Sequence, residues 1–292
     1  MRKYILILLF FFPSIISNNA YCQRISLIKS DLLLNVKQRD TNMIEGSEFI
    51  KKIENLSSIQ AEEEIYREIL KGNIPNFLRQ FKCIRYFCGE HNKVKVELYC
   101  LPDYLAIGSD KDFIRMPMGP LTAQLIADSL NCTLPSEFLV DIIAKASEGS
   151  IEPFPFRPKG DRNTYPIAFE DSNNAINALF KAKGYKFGQL ISGLKKDVIL
   201  TSKVTDSLRP NHVTIYGWHY SNGKHIQPSN NVHINTYVDY SHGIRLIYKI
   251  IKINGREYDL TKVYSSKEMF RYVSNEKEPM TRSTYAGDMW HQ

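Results

Sequence analysis

The sequence lacks a long apolar run, a dense block of like charge and any Cys-x-x-Cys pair. Without a run of about 20 apolar residues, a transporter is excluded. The net charge of +7 falls to +5 without Arg2 and Lys3, which lie in a segment that we expect to be removed, and this mild excess does not indicate nucleic-acid binding. A composition of 43% hydrophobic and 24% charged residues over 292 positions is typical of a globular protein with one large domain or two modest ones.

Residues 1–22 have the pattern of a secretory signal peptide. A positively charged start precedes an unbroken apolar run at 5–12, and a small, polar stretch follows. We expect cleavage between Ala20 and Gln23, and a periplasmic or extracellular protein that has no transmembrane span once the signal is removed. A lipid anchor on Cys22 is the alternative, which the bulky residue before it disfavours.

Four cysteines follow the expected signal segment. In an oxidising compartment, Cys83, Cys88, Cys100 and Cys132 permit two disulfides in three pairings. One pairing closes a small loop between Cys83 and Cys88 and joins Cys100 to Cys132. Four buried free thiols are the alternative, because cysteine is commonly buried without forming a bond.

The remaining pattern predicts an α+β fold, with an N-terminal helical region followed by a mixed or antiparallel sheet packed against a few helices. Helices that come before strands, without regular βαβ alternation, are typical of this class. The helical spacing of apolar residues between 50 and 70 assigns residues 23–92 to the helical region. Alternating apolar and polar residues then indicate an α+β functional domain at 93–265, and residues 266–292 are a C-terminal tail.

Several elements of the functional domain can be placed. Gly119-Pro120 opens a predicted helix at 121–130, and further helices are expected at 137–146 and 171–183. Asn254-Gly255 predicts a hairpin turn.

Residues 149–166 contain four of the 13 prolines and form the one stretch that resembles a linker. Such a segment can divide two lobes, or it can be a long loop that lies over a site. Loops of this length without secondary structure are usually functional or flexible.

Histidine is concentrated in one part of the chain. Five of the seven histidines lie within residues 212–242, together with many tyrosines, asparagines and a tryptophan. Side chains that titrate near neutrality, mixed with large aromatic rings, are typical of a hydrolytic or sugar-binding cleft. The alternative is a solvent-exposed face of a sheet with incidental histidines.

The first motif in this region is Ile215-Tyr-Gly-Trp-His219. Strand alternation predicts Tyr216 and Trp218 on one face and His219 on the other. Gly217 inside a strand often marks the close approach of a ligand or another backbone.

The second motif, residues 237–246, is expected to form the centre of the site. A bulge near its glycine would bring His242 beside Asp239, which gives an imidazole suited to general-base chemistry. In these roles Arg245 binds a substrate carboxylate, and His219 is a second acid or a metal ligand. The alternative is structural: Asp239 pairs with Arg245, and His242 is an ordinary turn residue.

Further residues are expected to contact the substrate. Aromatic rings would stack on it, and polar side chains would bind its substituents; these residues are Trp218, Tyr216, Tyr240, Gln227, Lys196 and Asp197. A solvated strand edge is the alternative for Lys195 and Lys196.

A metal-dependent mechanism is a separate hypothesis. His219, His233 and His242 would form a zinc site of three protein ligands plus water. No other cofactor is indicated, and the spacing matches no dedicated zinc motif such as His-Glu-x-x-His.

Five short motifs together resemble a family of exported bacterial proteins of uncharacterised function. They are Tyr104-Leu-Ala-Ile-Gly-Ser-Asp110, Lys195-Lys-Asp-Val-Ile-Leu200, Ile215-Tyr-Gly-Trp-His219, Ile226-Gln-Pro228 and Tyr237-Val-Asp-Tyr-Ser-His-Gly-Ile-Arg-Leu246. The resemblance covers about residues 95–248. It implies a single α+β domain and no established activity.

From these features we expect an exported hydrolase that acts on a cell-envelope or extracellular glycan or peptide through a His/Asp site. The alternative is a non-catalytic glycan- or peptidoglycan-binding protein with a cleft lined by aromatic rings and histidines. The residue types do not identify the bond that would be cleaved.

Overall fold

The computed structural model describes residues 22–287. The predicted signal peptide therefore lies outside the described residues, apart from Cys22. Within residues 22–287, no helix has the length and apolar character needed to cross a bilayer.

The fold is α+β, as predicted, and it contains both antiparallel and mixed sheets. The helices are α1 (Gly46–Ile53), α2 (Ser58–Lys71), α3 (Pro120–Ser129), α4 (Glu137–Ala146), α5 (Pro166–Lys183) and α6 (Leu260–Tyr264). The strands are β1 (Gln23–Ile28), β2 (Lys82–Cys88), β3 (Val94–Cys100), β4 (Ala106–Gly108), β5 (Phe113–Arg115), β6 (Cys132–Thr133), β7 (Gly149–Ser150), β8 (Ile191–Ser192), β9 (Lys196–Val198), β10 (Ile215–His219), β11 (His225–Asn230), β12 (His242–Gly243), β13 (Ile247–Tyr248), β14 (Ile250–Ile253) and β15 (Arg256–Asp259).

Two sheets organise the molecule. The first is antiparallel, in the order β1-β2-β3-β13-β6, and β14 joins β3 to β15. The second has the order β11-β10-β9-β12, in which β12 is parallel to β9 and the other pairs are antiparallel. The second sheet carries most of the predicted site residues.

Local sequence signals account for several element boundaries. Pro120 occupies the first turn of α3, where its missing N–H leaves no hydrogen bond unmade. Ser136 caps α4 by accepting a hydrogen bond from the backbone N–H of Leu139. The predicted hairpin is present, because β14 and β15 pair around Asn254-Gly255, both of which have positive φ.

The region 23–92 is less helical than the sequence suggested. Helices α1 and α2 account for its middle, but its two ends are β1 and β2, which pair with each other at one edge of the first sheet. Their partners are about 60 residues apart in sequence, and such long-range pairing leaves no periodic signal within a local window.

One hydrophobic core joins the N-terminal region, the central part of the chain and the C-terminal segment. It includes Ile84 of the first sheet, Val198 of the second sheet, and Leu34 and Tyr285 from towards the two ends of the described chain. Residues beyond 265 thus contribute buried side chains, and this part of the predicted tail packs into the fold.

Neither of the disulfides considered from the sequence fits the strands. Cys83 and Cys88 lie on β2, where five residues of extended chain separate them by about 16 Å. Cys100 on β3 and Cys132 on β6 have β13 between them, and two strand spacings are about 10 Å. Both separations exceed the Cα distance of about 7 Å that a disulfide spans, and all five cysteines are unbonded in the structure.

Candidate functional site

A groove of about 420 Å³ lies between the second sheet and the proline-rich loop. Its walls include six residues expected from the sequence: Lys196, Trp218, Gln227, His233, Asp239 and Tyr240. Tyr237 and Ser241, from the same segment as Asp239, also line it.

The proline-rich loop forms the opposite wall, which decides between the two roles considered for residues 149–166. The Phe156 ring stacks on Tyr240 with 4.3 Å between ring centroids, and its backbone N–H donates to the Tyr240 hydroxyl at 2.5 Å. The N–H of Tyr240 donates in turn to the carbonyl of Asn163 at 3.0 Å. These contacts hold the loop over the groove.

Strand β10 departs from simple alternation at its centre. Gly217 has φ +98° and Trp218 has φ +57°, so both lie in the left-handed region, which a bulky residue rarely adopts. As a result Tyr216 and His219 point to the same side, with ring centroids 5.8 Å apart, while Trp218 points to the groove. The predicted placement of Tyr216 and Trp218 on one face is therefore wrong.

Hydrogen bonding and packing hold Trp218 in this conformation. Its indole N–H donates to the carbonyl of Gly193 at 2.9 Å. The ammonium of Lys196 lies 5.9 Å from the centroid of its ring, a cation–π distance. Trp218 therefore lies in the groove wall beside a positive charge, with 2% of its surface exposed.

Asp239 is the carboxylate of the sheet wall. Its Oδ1 accepts from the backbone N–H of Ser241 at 2.8 Å and from the Ser241 hydroxyl at 2.5 Å, and its Oδ2 accepts from the Tyr237 hydroxyl at 3.3 Å. Burial would raise the pKa of Asp239, but His242, the Ser241 hydrogen bonds and Lys196 together lower it. Asp239 is therefore ionised at neutral pH.

His242 lies behind the groove wall and is fully buried. Its backbone N–H donates to the Asp239 carbonyl at 3.1 Å, which closes a turn between the two residues. However, no group within residues 22–287 hydrogen-bonds to either ring nitrogen. Burial lowers the pKa of His242 to about 4, despite the opposing effect of Asp239, so the ring is neutral.

The glycine of the second motif permits this close packing. Gly243 pairs with Asp197 where β12 runs beside β9. A Cβ at Gly243 would lie 2.6 Å from the ring of Tyr104 and 2.9 Å from the Cβ of Lys195. A larger residue would push His242 and Asp239 away from their positions.

Arg245 does not line the groove. Its guanidinium donates to the carbonyls of Leu101 at 3.0 Å and Pro102 at 2.8 Å, and it lies 4.4 Å from the ring centroid of Tyr104. Only 2% of its surface is exposed. The structure thus places it in the interior, where it does not contact a substrate carboxylate in the groove.

Asp197 belongs to the same interior network. It is buried and accepts a hydrogen bond from the Tyr104 hydroxyl at 2.9 Å. Burial raises the pKa of Asp197 to about 6, although Arg245 and Tyr104 oppose the shift. Its location does not match the expected substrate contact.

Lys195, close to Asp197 in sequence, is also buried, and its ammonium donates to the Tyr240 carbonyl. Burial, followed by the charge of Arg115, lowers the pKa of Lys195 to about 7. Buried ionisable groups therefore lie behind the groove wall. Burying such groups lowers the stability of the fold, so their presence indicates a function.

His219 is separated from the groove. Its Nε2 lies 2.9 Å from Oδ1 of Asp141 on α4, which also accepts from the Tyr216 hydroxyl at 2.9 Å. The Tyr216 hydroxyl is 3.1 Å from Nδ1 of His225. An Asp–His pair of the kind expected for Asp239 and His242 is thus formed by Asp141 and His219, on the other side of β10.

The predicted zinc ligands do not converge. His233 stacks on Tyr237 with 4.1 Å between centroids at the groove, whereas His219 is with Asp141. In the part of the chain that the structure describes, no three His, Cys, Asp or Glu side chains are placed to hold a metal ion.

Sequence reasoning missed Asp141 and the individual loop residues, and it included Tyr237 in the central motif without assigning it a role. Asp141 sits one turn after Glu137 on a helix, where an acidic pair is most simply interpreted as a solvated face. Proline content identified the loop, but not which of its residues face the groove.

Comparisons of the chain with protein-family models, curated proteins and solved structures give no match. The resemblance drawn from the motifs therefore stays a prediction. Any function must be argued from the groove itself.

Proposed function

We propose that the protein is an exported hydrolase that acts on a cell-envelope or extracellular glycan or peptide in this groove. One observation carries the proposal: ionised Asp239 lines a groove that is backed by His242, Lys195 and Asp197, three buried groups with shifted pKa values. Buried ionisable groups with perturbed pKa values cluster at catalytic sites, because their cost in stability is tolerated where chemistry needs them.

In the proposed mechanism, Asp239 is the general base. The Ser241 and Tyr237 hydrogen bonds orient its carboxylate, which takes a proton from the water that attacks the scissile bond. Burial, together with Asp239, raises the pKa of Tyr237 to about 12, so its phenol stays protonated and keeps its hydrogen bond to Asp239. The leaving group takes its proton from solvent water. His242 is neutral and does not reach the substrate; it packs behind Asp239 and acts as a positioning residue.

The walls of the groove suit a polar ligand that contains rings. Trp218 and Tyr240 supply apolar parts of the wall, with only 2% and 4% of their surfaces exposed. Lys196 provides a positive charge for a carboxylate of the ligand. Acidic sugars and peptide stems of the cell envelope carry such groups, which is why we favour that substrate class.

Hydrolysis can be measured directly on isolated peptidoglycan and on extracellular polysaccharide, with released fragments detected by mass spectrometry. Asp239→Asn should lower turnover about 10²–10⁴-fold, because it removes a general base while keeping the side-chain shape. Asp31→Asn is the matched control, since the Asp31 side chain is 84% exposed and outside the groove. An Asp239→Asn protein as active as the wild type would contradict the proposal.

The non-catalytic alternative is favoured by one observation, the complete burial of His242, which removes the imidazole from direct contact with a ligand. In that case the wild-type protein would bind the same fractions and release no fragment from any of them. Substituting Asp239 would then change affinity alone.

A further inference from the structure

The N-terminal strand carries an irregularity that aligns two cysteines. From Ile28 to Ser26, strand β1 pairs with β2 in one register, in which Ser26 lies opposite Arg85. At Gln23 the register has shifted by one residue, and Gln23 lies opposite Phe87. The extra residue is accommodated by a bulge at which Arg24 adopts φ 56°.

The bulge determines which residue lies opposite Cys22. In the shifted register the next pair after Gln23 and Phe87 is Cys22 and Cys88, whereas without the bulge Cys22 would lie opposite Gly89. Directly opposed residues in an antiparallel pair have Cα atoms about 4.5–5.5 Å apart, which is within the range that a disulfide spans.

The two side chains also meet. Cys88 is fully buried in the main core, and Cys22 packs against the same core from the edge. The Cys88 thiol hydrogen-bonds to Cys22, and this bond, together with the nearby charge of Lys145, lowers the pKa of Cys22. A thiol with a lowered pKa is the better nucleophile of a pair.

We propose that Cys22 and Cys88 form a disulfide that staples β1 to the first sheet, so that processing of the chain occurs before Cys22 and its sulfur carries no lipid. The proposal rests on the export proposed above, because disulfides persist in oxidising compartments. It replaces the one pairing that was named from the sequence, whose two bonds, Cys83–Cys88 and Cys100–Cys132, the strand geometry excludes.

The reaction needs a disulfide-bearing oxidant of the export compartment. The Cys22 thiolate attacks one sulfur of the oxidant, forming a mixed disulfide and releasing one thiolate. Cys88 then loses its proton, attacks the Cys22 sulfur and releases the second thiolate. Two electrons and two protons pass from the cysteine pair to the oxidant.

The direct test uses the full chain with its own N-terminus, exported by a bacterial host. The protein is quenched in acid, alkylated with N-ethylmaleimide in denaturant without reduction, and mapped by mass spectrometry. We expect one cross-linked peptide pair joining Cys22 to Cys88, and alkylation of Cys83, Cys100 and Cys132. Alkylation of both Cys22 and Cys88, a mature chain that begins at Gln23, or a lipid on Cys22 would each overturn the proposal.

A second arm separates this result from the question of export. The full chain purified from a reducing cytosol is treated with a glutathione redox buffer and mapped in the same way. Formation of the same cross-link supports the pairing even if the host does not export the chain, and its absence overturns the pairing even if hydrolysis by Asp239 is established.

Stability provides an independent readout. Cys88→Ser should lower the melting temperature of the oxidised protein by about 5 °C or more, and this difference should shrink when both proteins are reduced. Cys83→Ser is the matched control, because Cys83 is also buried on β2 but lies at the other end of the strand. A difference for Cys88→Ser that is the same with and without reductant would be a packing effect and would overturn the cross-link.

Discussion

His242 is a single residue at which burial overrides a neighbouring charge. A carboxylate beside an imidazole normally favours the charged ring, and the sequence suggested such a pair. Here the ring is fully buried, and no group among residues 22–287 hydrogen-bonds to either of its nitrogens. Desolvation therefore lowers the pKa of His242 to about 4.

This shift predicts a pH dependence of stability. The pKa of His242 falls from the ordinary histidine value of 6.5 in the unfolded chain to about 4 in the fold, so the unfolded chain binds more protons between these values. The free energy of unfolding should therefore fall as the pH is lowered from 6.5 to 4, by about 3 kcal/mol from this residue. His242→Asn should flatten this part of the profile in urea unfolding measured at several pH values.

The control for this experiment is His91→Asn, because the His91 side chain is 74% exposed. It should leave the pH profile as in the wild type. If His242→Asn and wild type lost stability in parallel between pH 6.5 and 4, the imidazole would not be held neutral by the fold.

Strand β10 separates the residues that line the groove from the pair formed by Asp141 and His219. Its left-handed pair, Gly217 and Trp218, sends the indole into the groove and leaves His219 with Asp141 on the other side. Alternation is a sound expectation for a regular strand, but two residues with positive φ are enough to invalidate it.

Gly217→Ala tests this element. The alanine would have to adopt φ +98°, and its Cβ would lie 3.2 Å from Cγ1 of Val140. Strain from the left-handed conformation costs about 1–2 kcal/mol, and the close contact adds to it, so we expect a larger loss in the free energy of unfolding and weaker hydrolysis as Trp218 moves.

Gly223→Ala separates the two contributions. Gly223 also has a positive φ, +82°, but no atom among the described residues lies within 4 Å of the position that an alanine Cβ would take there. The Gly223→Ala protein should lose only the free energy of unfolding that the backbone strain costs, and it should keep its hydrolytic activity. Equal losses for both variants would mean that the contact with Val140 and the position of Trp218 do not matter.

Across the whole molecule, a single core joins segments that the sequence assigned to different units. Tyr285, in the predicted tail, donates its hydroxyl hydrogen bond to the Ile199 carbonyl at 2.8 Å and accepts from the Thr214 N–H at 2.9 Å. Its ring is 7% exposed and belongs to the same core as Leu34. The C-terminal segment therefore supports the strands next to the groove.

Tyr285→Ala should lower the free energy of unfolding by about 3–5 kcal/mol, because it removes a large buried side chain and leaves a cavity. Tyr165→Ala is the matched control, since Tyr165 is 55% exposed, and its effect should stay within about 0.5 kcal/mol. Denaturant unfolding followed by circular dichroism compares the two. A small effect of Tyr285→Ala would show that the segment beyond residue 265 is not part of the cooperative unit.

Features that depend on neighbouring residues can be predicted from the amino-acid order alone. The α+β class, the starts of α3 and α4, the Asn254-Gly255 hairpin and the unusual polarity of the segment around Asp239 follow from local periodicity, capping and composition. The proline-rich loop is recognised as functional or flexible in the same way.

Which of these residues meet depends instead on how distant segments pack. The folded chain places Arg245 and Asp197 in the interior, pairs His219 with Asp141, and aligns Cys22 with Cys88 through a bulge. Each outcome requires contacts between segments that are far apart in sequence, or backbone conformations such as that of Trp218, which the surrounding packing imposes against the local preference of the residue.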